Sequence, residues 1–152
     1  MTPPGTTAST AFEFFVEVSI IDQLVRTLME RRLPRGLSVA GFAVMNHMIR
    51  TGQDEASPVS IARALQVTRA AVTGVLQKLV AEGFVTLDPD PRDGRGKLVR
   101  ITPAGLAARQ AAIEAIQPLL EGLVERLPDN TLGQTLPALR LVRADLDRTR
   151  EA

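Results

Sequence analysis

Apolar residues recur at helical spacing over most of this chain. Over residues 11–31 they form two lines on one helix, so that helix is apolar on two sides. A surface helix of a single domain needs only one apolar side to cover its own core. The second side therefore predicts contact with a partner subunit. One line is Phe12, Phe15, Val16, Ile20, Leu24 and Leu28, and the other is Phe14, Val18, Ile21, Val25 and Met29.

Capping and turn residues divide the following region into three short helices. Ser38, Ser57 and Thr68 each precede a segment of helical periodicity, and their side-chain oxygens can accept a hydrogen bond from the first turn. Gly83 stands where the third of these segments ends. Only residues 66–67 separate the second helix from the third. These two helices must therefore turn sharply against each other.

Two short segments, FVTL and KLVRI, come next and alternate β-branched or apolar residues with polar ones. They predict the strands of a hairpin with a long, glycine-containing tip, DPDPRDGRGK, at residues 88–97. Thr102 then starts a long helix, in which Pro118 predicts a kink or a break. A last helix is predicted to end at about Arg148.

The composition is that of a folded protein. Its 152 residues are 45% hydrophobic and 23% charged, which is too apolar for intrinsic disorder. There is no run of eighteen or more apolar residues to predict a membrane span. The first ten residues are rich in proline and threonine and lack the features of a signal peptide. We expect a cytoplasmic protein with no membrane partner.

The scarcity of cysteine and histidine excludes several kinds of chemistry. The chain has no cysteine, so disulfides, thiolate nucleophiles and cysteine-ligated zinc are excluded. The single histidine, His47, cannot form a two- or three-histidine metal site within one chain. We therefore expect no metal and no cofactor.

The acidic residues of the hairpin tip suggest a calcium loop or a catalytic pair. A helix-loop-helix calcium site that begins at Asp88 needs an acid or amide at its fifth position and glutamate at its twelfth, but Arg92 and Val99 stand there. The acids alternate with arginines on a proline-rich tip, which favours salt bridges over catalysis. We expect neither a calcium site nor an enzyme.

Charge is distributed unevenly, although the net charge is only +1. Residues 57–102 contain seven Lys or Arg and four Asp or Glu, whereas the segments before and after each have one more acid than base. A central basic excess is typical of proteins that bind a polyanion, and it also occurs on solvated surfaces without a partner.

The order of these elements, with two short helices, a tight turn and a hairpin, is that of a winged helix-turn-helix. In that arrangement the helix from Thr68 to Glu82 lies in the DNA major groove and the hairpin is the wing. The chain contains the segments TRAAVT, KLVAEGFV, DPRDGR and KLVRITPAG, in this order. With these segments it resembles the multiple antibiotic resistance regulator (MarR) family of bacterial transcription factors from about residue 11 onward.

The resemblance implies a mainly α fold with a small β-hairpin wing and an obligate homodimer. Residues 1–10 are then a mobile N-terminus and residues 11–35 an N-terminal dimerisation helix. Residues 36–102 are the winged helix-turn-helix DNA-binding module, and residues 103–152 are C-terminal dimerisation helices. Such a dimer places two recognition helices one DNA turn apart, roughly 34 Å, on a pseudo-palindromic operator.

The resemblance also implies which residues meet double-stranded DNA. Arg95 matches the wing arginine that enters the minor groove, and Gln77 has an amide that can pair with adenine. Asp90 and Asp93 match the acids that hold the wing arginines in place. Gly74 is either a neutral exposed position or a place where the helix approaches the groove closely. The residues expected at the DNA are Thr68, Arg69, Ala70, Thr73, Gly74, Gln77, Lys78, Arg92, Arg95 and Lys97.

The function implied by the resemblance is transcriptional repression. Members of the family commonly release DNA when a small aromatic or phenolic effector binds between the dimerisation helices and the DNA-binding module. Phe15, Phe42, Met45 and His47 are placed to bound such a pocket, although His47 can also be a boundary residue without a ligand. The alternative function is a winged-helix module that docks another protein and does not bind specific DNA.

Overall fold

The computed structural model describes residue 5 and residues 7–151. Over this range the chain forms six α helices and a two-stranded antiparallel sheet, which confirms the predicted fold class. The expectation of a mobile N-terminus falls partly on residues 1–4 and 6, which lie outside the described range. The elements are α1 (Ala8–Glu30), α2 (Val39–Arg50), α3 (Pro58–Leu65), α4 (Arg69–Ala81), β1 (Val85–Asp90), β2 (Asp93–Ile101), α5 (Pro103–Arg126) and α6 (Thr131–Glu151).

The chain divides into two compact units. The first ends at Ile116, and the second begins at Gln117 and contains the rest of α5 together with α6. Helix α5 continues through Pro118, so a break at this proline does not occur. Pro118 is exposed, and water can therefore satisfy the carbonyl group that its ring leaves without a donor.

Local capping explains where the helices begin. Ser38, Ser57 and Thr68 each accept a hydrogen bond from the amide three residues later, at 3.0 to 3.1 Å, as predicted. Helix α1 begins at Ala8, earlier than the expected residue 11, because Thr7 provides an N-cap in the same way at 3.2 Å.

The sharp turn between α3 and α4 depends on one residue in the left-handed region. Gln66 has a φ of 59°, a conformation that usually favours glycine. The amide of Val67 then donates to the carbonyl of Ala62 at 3.0 Å, which closes the end of α3. This turn sets the direction in which α4 starts.

The core of the first unit lies between α2, α3, α4 and the base of the hairpin. Met45 and Met48 on α2 and Ile61 on α3 have no exposed surface. Helix α4 contributes one buried stripe to this core, so its opposite face is exposed. The stripe consists of Val72, Leu76 and Leu79, each 1–2% exposed.

The hairpin is longer and its turn is shorter than the sequence predicts. Residues 88–97, the expected long tip, lie mostly within the two strands, and only Pro91 and Arg92 make the turn. Pro89 fits into β1 because each strand of a two-stranded sheet has a free edge, where a missing N–H costs no ladder bond. An irregularity in register between Pro89 and Asp90 takes up the extra residues of β2.

Helix α1 has no buried residue, although it is rich in apolar side chains. Phe12 is 71% exposed, and Ile21 and Leu24 are 57% and 58% exposed. Only residues 27–29, near its C-terminal end, form a continuous half-buried stretch. Both apolar lines of the helix are therefore largely available to a partner. Within the described ranges, no helix is both long and apolar enough to cross a membrane.

Candidate nucleic-acid interface

A cleft of about 700 Å³ lies between the exposed face of α4 and the hairpin. The first turn of α3 closes one end of this cleft with Ser57, Pro58 and Val59. Because α4 is fixed to the core through its buried stripe, the cleft has one rigid wall. Its other lining residues are Arg69, Thr73, Leu76 and Gln77 of α4, with Leu87, Asp90, Asp93, Arg95, Gly96 and Lys97 of the hairpin.

The side of α4 that lines the cleft follows from helical spacing. Arg69, Thr73 and Gln77 are four residues apart, so they lie one above another on the same face of the helix. All three side chains are exposed. The cap at Thr68 stands at the N-terminal end of this row. The row therefore forms a continuous surface that an extended partner can contact.

The structure brings together half of the ten residues expected at the DNA. Arg69, Thr73, Gln77, Arg95 and Lys97 all line the cleft. The other five lie on the same two elements outside its lining, and all of the ten are exposed except the half-buried Gly74. These five are Thr68, Ala70, Gly74, Lys78 and Arg92.

Four of these positive side chains have no acidic partner among the described residues. Arg69 and Lys78 on α4, and Arg95 and Lys97 on β2, form no salt bridge there. An unpaired, exposed cation can bind a phosphate without first breaking an internal ion pair. The electrostatics of the cleft therefore suit a polyanion.

The two acids of the hairpin tip bind its arginines in different ways. Asp90 Oδ1 accepts hydrogen bonds from the Arg92 amide at 2.9 Å and from Arg92 Nε at 3.4 Å. The hydrogen bond from the backbone amide of Arg92, more than the guanidinium group, lowers the pKa of Asp90 below its ordinary value. Asp93 Oδ1 accepts from the backbone amide of Arg95 at 3.1 Å. Asp93 thus fixes the backbone at Arg95, and the guanidinium of Arg95 remains available.

A second ion-pair network ties the hairpin to the loop between α2 and α3. Arg100 donates to Glu55 Oε1 from Nε at 3.1 Å and from Nη2 at 2.5 Å, and its Nη1 lies 3.3 Å from Asp88 Oδ2. Ala56 and Val99 also exchange two backbone hydrogen bonds, at 3.1 and 2.8 Å. The sequence alone does not predict this attachment. Asp88 and Arg100 are diagonal neighbours across the strands, a relation that appears only when the register is known.

The base of the hairpin explains the motif TPAG. Thr102 donates its hydroxyl to the Gly83 carbonyl at 2.6 Å and its amide to the Phe84 carbonyl at 3.0 Å. Gly105 packs against the Phe84 carbonyl, and a Cβ at position 105 would clash with that oxygen. The glycine is therefore required for α5 to start directly against the end of α4.

The four residues expected at an effector pocket lie in different surroundings. Phe15 is 42% exposed on α1, Met45 is fully buried in the core, and Phe42 and His47 are half-buried. None of the four lines the cleft or the smaller cavity described next.

A separate, mainly apolar cavity of about 170 Å³ lies behind α4. Helices α1, α2, α3 and α4 and the α3–α4 turn all contribute to its walls. Arg26, which is paired with Asp22 at 2.8 Å, is its one charged lining residue. The other lining residues are Ala40, Ala43, Val44, Leu65, Val67, Ala71, Val72 and Val75.

Within the part of the chain that the structure describes, no group of three or more His, Asp or Glu side chains is arranged to hold a metal ion.

The family model and the related sequences that match this chain agree with each other. The model described as "MarR family" matches residues 35–96. The transcriptional repressor YetL of Bacillus subtilis is 25% identical over 120 residues, which are 78% of this chain and 72% of YetL. The MarR protein of Escherichia coli K12 is 41% identical over 51 residues, and this match spans 34% of the chain and only 35% of that protein.

Comparison with solved structures extends the likeness to most of the chain. A mutant of Escherichia coli MarR in complex with operator DNA has a TM-score of 0.76 and 26% identity, and the match covers 86% of this chain and 93% of that one. The regulator BldR of Sulfolobus solfataricus has a TM-score of 0.77 over 89% of this chain and 95% of its own. Because its identity is 23%, that likeness shows the fold alone.

Proposed function

We propose that this chain, which belongs to the MarR family of transcriptional regulators, represses transcription by binding duplex DNA as a homodimer. The observation that supports this most directly is the cleft, where the exposed row of α4 faces unpaired cations of the hairpin. α4 enters the major groove, and Arg95 on the hairpin enters the adjacent minor groove. The relatives are regulators of transcription and not enzymes.

The same proposal assigns DNA binding and dimer formation to different segments of the chain. Residues 36–102 bind DNA, and residues 11–35 and 103–152 form the dimer. The exposed apolar side chains of α1 support the first dimerisation segment, and those of α6 support the second. Two-fold symmetry then places the recognition helices about 34 Å apart on a pseudo-palindromic operator. The protein acts in the cytoplasm, where bacterial DNA is accessible to it.

A mobility-shift titration on the DNA beside the protein's own gene tests this function. We expect wild type to shift this DNA, and Arg95→Ala to weaken binding by about tenfold, since a groove-inserted arginine is removed. Arg50→Ala is the matched control, because it deletes the same charge at the exposed end of α2, outside the cleft. Equal affinity of wild type and Arg95→Ala would show that Arg95 does not enter the minor groove.

Binding of a small aromatic or phenolic effector completes the proposal. The apolar cavity behind α4 supports it, because a ligand there touches the recognition helix from its inner side. Its volume of about 170 Å³ is close to that of an apolar cavity of about 150 Å³ known to bind benzene. If the ligand binds more tightly to one position of α4 than to another, it shifts the protein toward that position. The change in DNA affinity is then limited by the difference between the ligand's affinities for the two positions.

The effector is testable by calorimetric titration of the protein with phenol and with benzoate. We expect binding to wild type and its loss in Ala43→Leu, whose larger side chain fills the cavity. Val80→Leu, at an exposed position on α4 outside the cavity, serves as the control and should bind normally. Unchanged binding to Ala43→Leu would place the effector elsewhere.

A further inference from the structure

Thr73 and Gln77 are the two uncharged polar residues of α4 that line the cleft. A spacing of four residues puts them about 6 Å apart along the helix axis and on the same face. Base pairs are stacked at about 3.4 Å, so the two side chains reach bases within about two steps of each other.

The hydroxyl group of Thr73 is already used inside the helix. Its Oγ1 donates a hydrogen bond to the carbonyl oxygen of Arg69 at 2.9 Å. The side chain is exposed, and its methyl group is therefore what it offers to a partner. In the major groove, the matching apolar feature is the C5 methyl group of thymine.

The amide group of Gln77 is free to make a pair of hydrogen bonds. The side chain is exposed and forms no hydrogen bond within the described part of the chain. Its carbonyl oxygen and NH₂ group lie side by side, which matches the N6 donor and N7 acceptor of adenine.

We infer that Thr73 and Gln77 read A·T base pairs at the centre of each half-site. Thr73 packs against a thymine methyl group, and Gln77 pairs with an adenine no more than about two steps away. This inference rests on the proposed DNA-binding function. Arg69, at the N-terminal end of the same row, is the competing reader, because arginine pairs best with guanine.

The test begins with selection of duplexes from randomised DNA by the full-length protein. Each thymine of the selected half-site is then replaced by deoxyuridine, which removes only the C5 methyl group. We expect one such replacement per half-site to weaken binding by roughly fourfold, the equivalent of one buried methyl group.

Two substitutions at position 73 separate the methyl group from the hydroxyl. Thr73→Ser keeps the hydroxyl and its bond to Arg69 but lacks the methyl group, so it should bind the thymine and uracil duplexes equally. Thr73→Val keeps a methyl group and should still prefer thymine. Lys78→Ala, which removes an expected phosphate contact, should weaken binding to both duplexes by the same factor.

Gln77→Ala completes the test. It should reduce the preference for A·T at one base pair by about tenfold, the usual range for one bidentate contact. A half-site whose centre is G·C, or a thymine preference that Thr73→Ser retains, overturns the inference and leaves DNA binding intact. Failure to select any duplex overturns the proposed function itself and the inference with it.

Discussion

Gly74 and Gly105 both lie inside helices, but an added Cβ meets different surroundings at each. At Gly74 the added Cβ has no contact within 4 Å apart from its own turn of helix, whereas at Gly105 it would clash with the Phe84 carbonyl. Gly74→Ala should therefore stabilise the protein by up to about 1 kcal/mol, the helix-propensity difference. Gly105→Ala should destabilise it by about 1–3 kcal/mol. Thermal unfolding at equal protein concentration measures both changes in stability. Melting temperatures that shift in the same direction in the two variants would contradict these predictions.

The DNA affinity of Gly74→Ala distinguishes the two interpretations of this glycine. The space beside it is open in the free protein, so the added methyl group is accommodated there at no cost. We expect weaker DNA binding, because α4 approaches the groove closely at this position. An unchanged affinity would indicate a neutral exposed position.

Asp90 gives a prediction about pH. Its pKa is lowered mainly by the hydrogen bond from the backbone amide of Arg92, and the guanidinium contributes less. A lowered pKa in the folded state stabilises the fold at pH values above the unfolded pKa, and this contribution is lost as the pH falls through the folded value. In a ¹³C NMR titration, Arg92→Ala should keep most of the shift, because it retains the amide. A return of the Asp90 pKa to its ordinary value in that variant would show that the ion pair is the main cause.

At the scale of the elements, the position of the hairpin depends on its attachment to the loop before α3. Glu55→Gln removes the charge that holds Arg100 without changing either strand. The pair is partly exposed, so the loss of global stability should be small. We expect faster amide exchange in residues 85–101 and weaker DNA binding, because the hairpin is less firmly held.

Asp22→Asn is a suitable control for Glu55→Gln. It breaks an ion pair of similar exposure within α1 and should leave exchange in the hairpin unchanged. Equal exchange in the hairpin of wild type and Glu55→Gln would show that the backbone bonds of Ala56 and Val99 are sufficient.

The helix boundaries could be predicted from the sequence because they depend on neighbouring residues. Ser38, Ser57 and Thr68 bond to amides three residues away, a relation that the sequence displays directly. The length of the strands could not be predicted, because Pro89 is tolerated only where the strand has a free edge. The attachment of Arg100 to Glu55 spans 45 positions and requires the completed fold.

The candidate site shows the same distinction. Helical spacing places Arg69, Thr73 and Gln77 in one row, and this row lines the cleft. The expected effector residues follow from the order of residues along the chain, and that order does not reveal which side chains are buried. Met45 is a core residue, and the cavity behind α4 is lined by other residues.

For the whole molecule, the exposed apolar side chains of α1 predict that the protein is a dimer. Ile21 and Leu24 are more than half exposed in the single chain, and the proposed dimer buries them. Ile21→Glu and Leu24→Glu should therefore yield monomers in sedimentation experiments, because burying an unpaired carboxylate is costly. Loss of the dimer should also abolish tight binding to a two-half-site operator.

Gln53→Glu controls for added charge, because it places the same carboxylate in the exposed loop after α2. It should remain dimeric. Monomeric wild-type protein, or dimers that persist in both α1 variants, would contradict the proposed role of α1.

The salt dependence of DNA affinity distinguishes a protein that binds DNA from a module that docks another protein. Each subunit offers Arg69, Lys78, Arg92, Arg95 and Lys97 to the phosphates or the grooves, and each neutralised phosphate steepens the log–log slope of affinity against salt by about 0.9. The dimer has ten of these cations, which would give a slope of about −9 if each of them neutralised one phosphate. Because some of them reach the grooves instead, we predict a slope between about −5 and −9 for the dimer on its operator. A slope near zero, as expected for a module that docks a protein, would contradict the account.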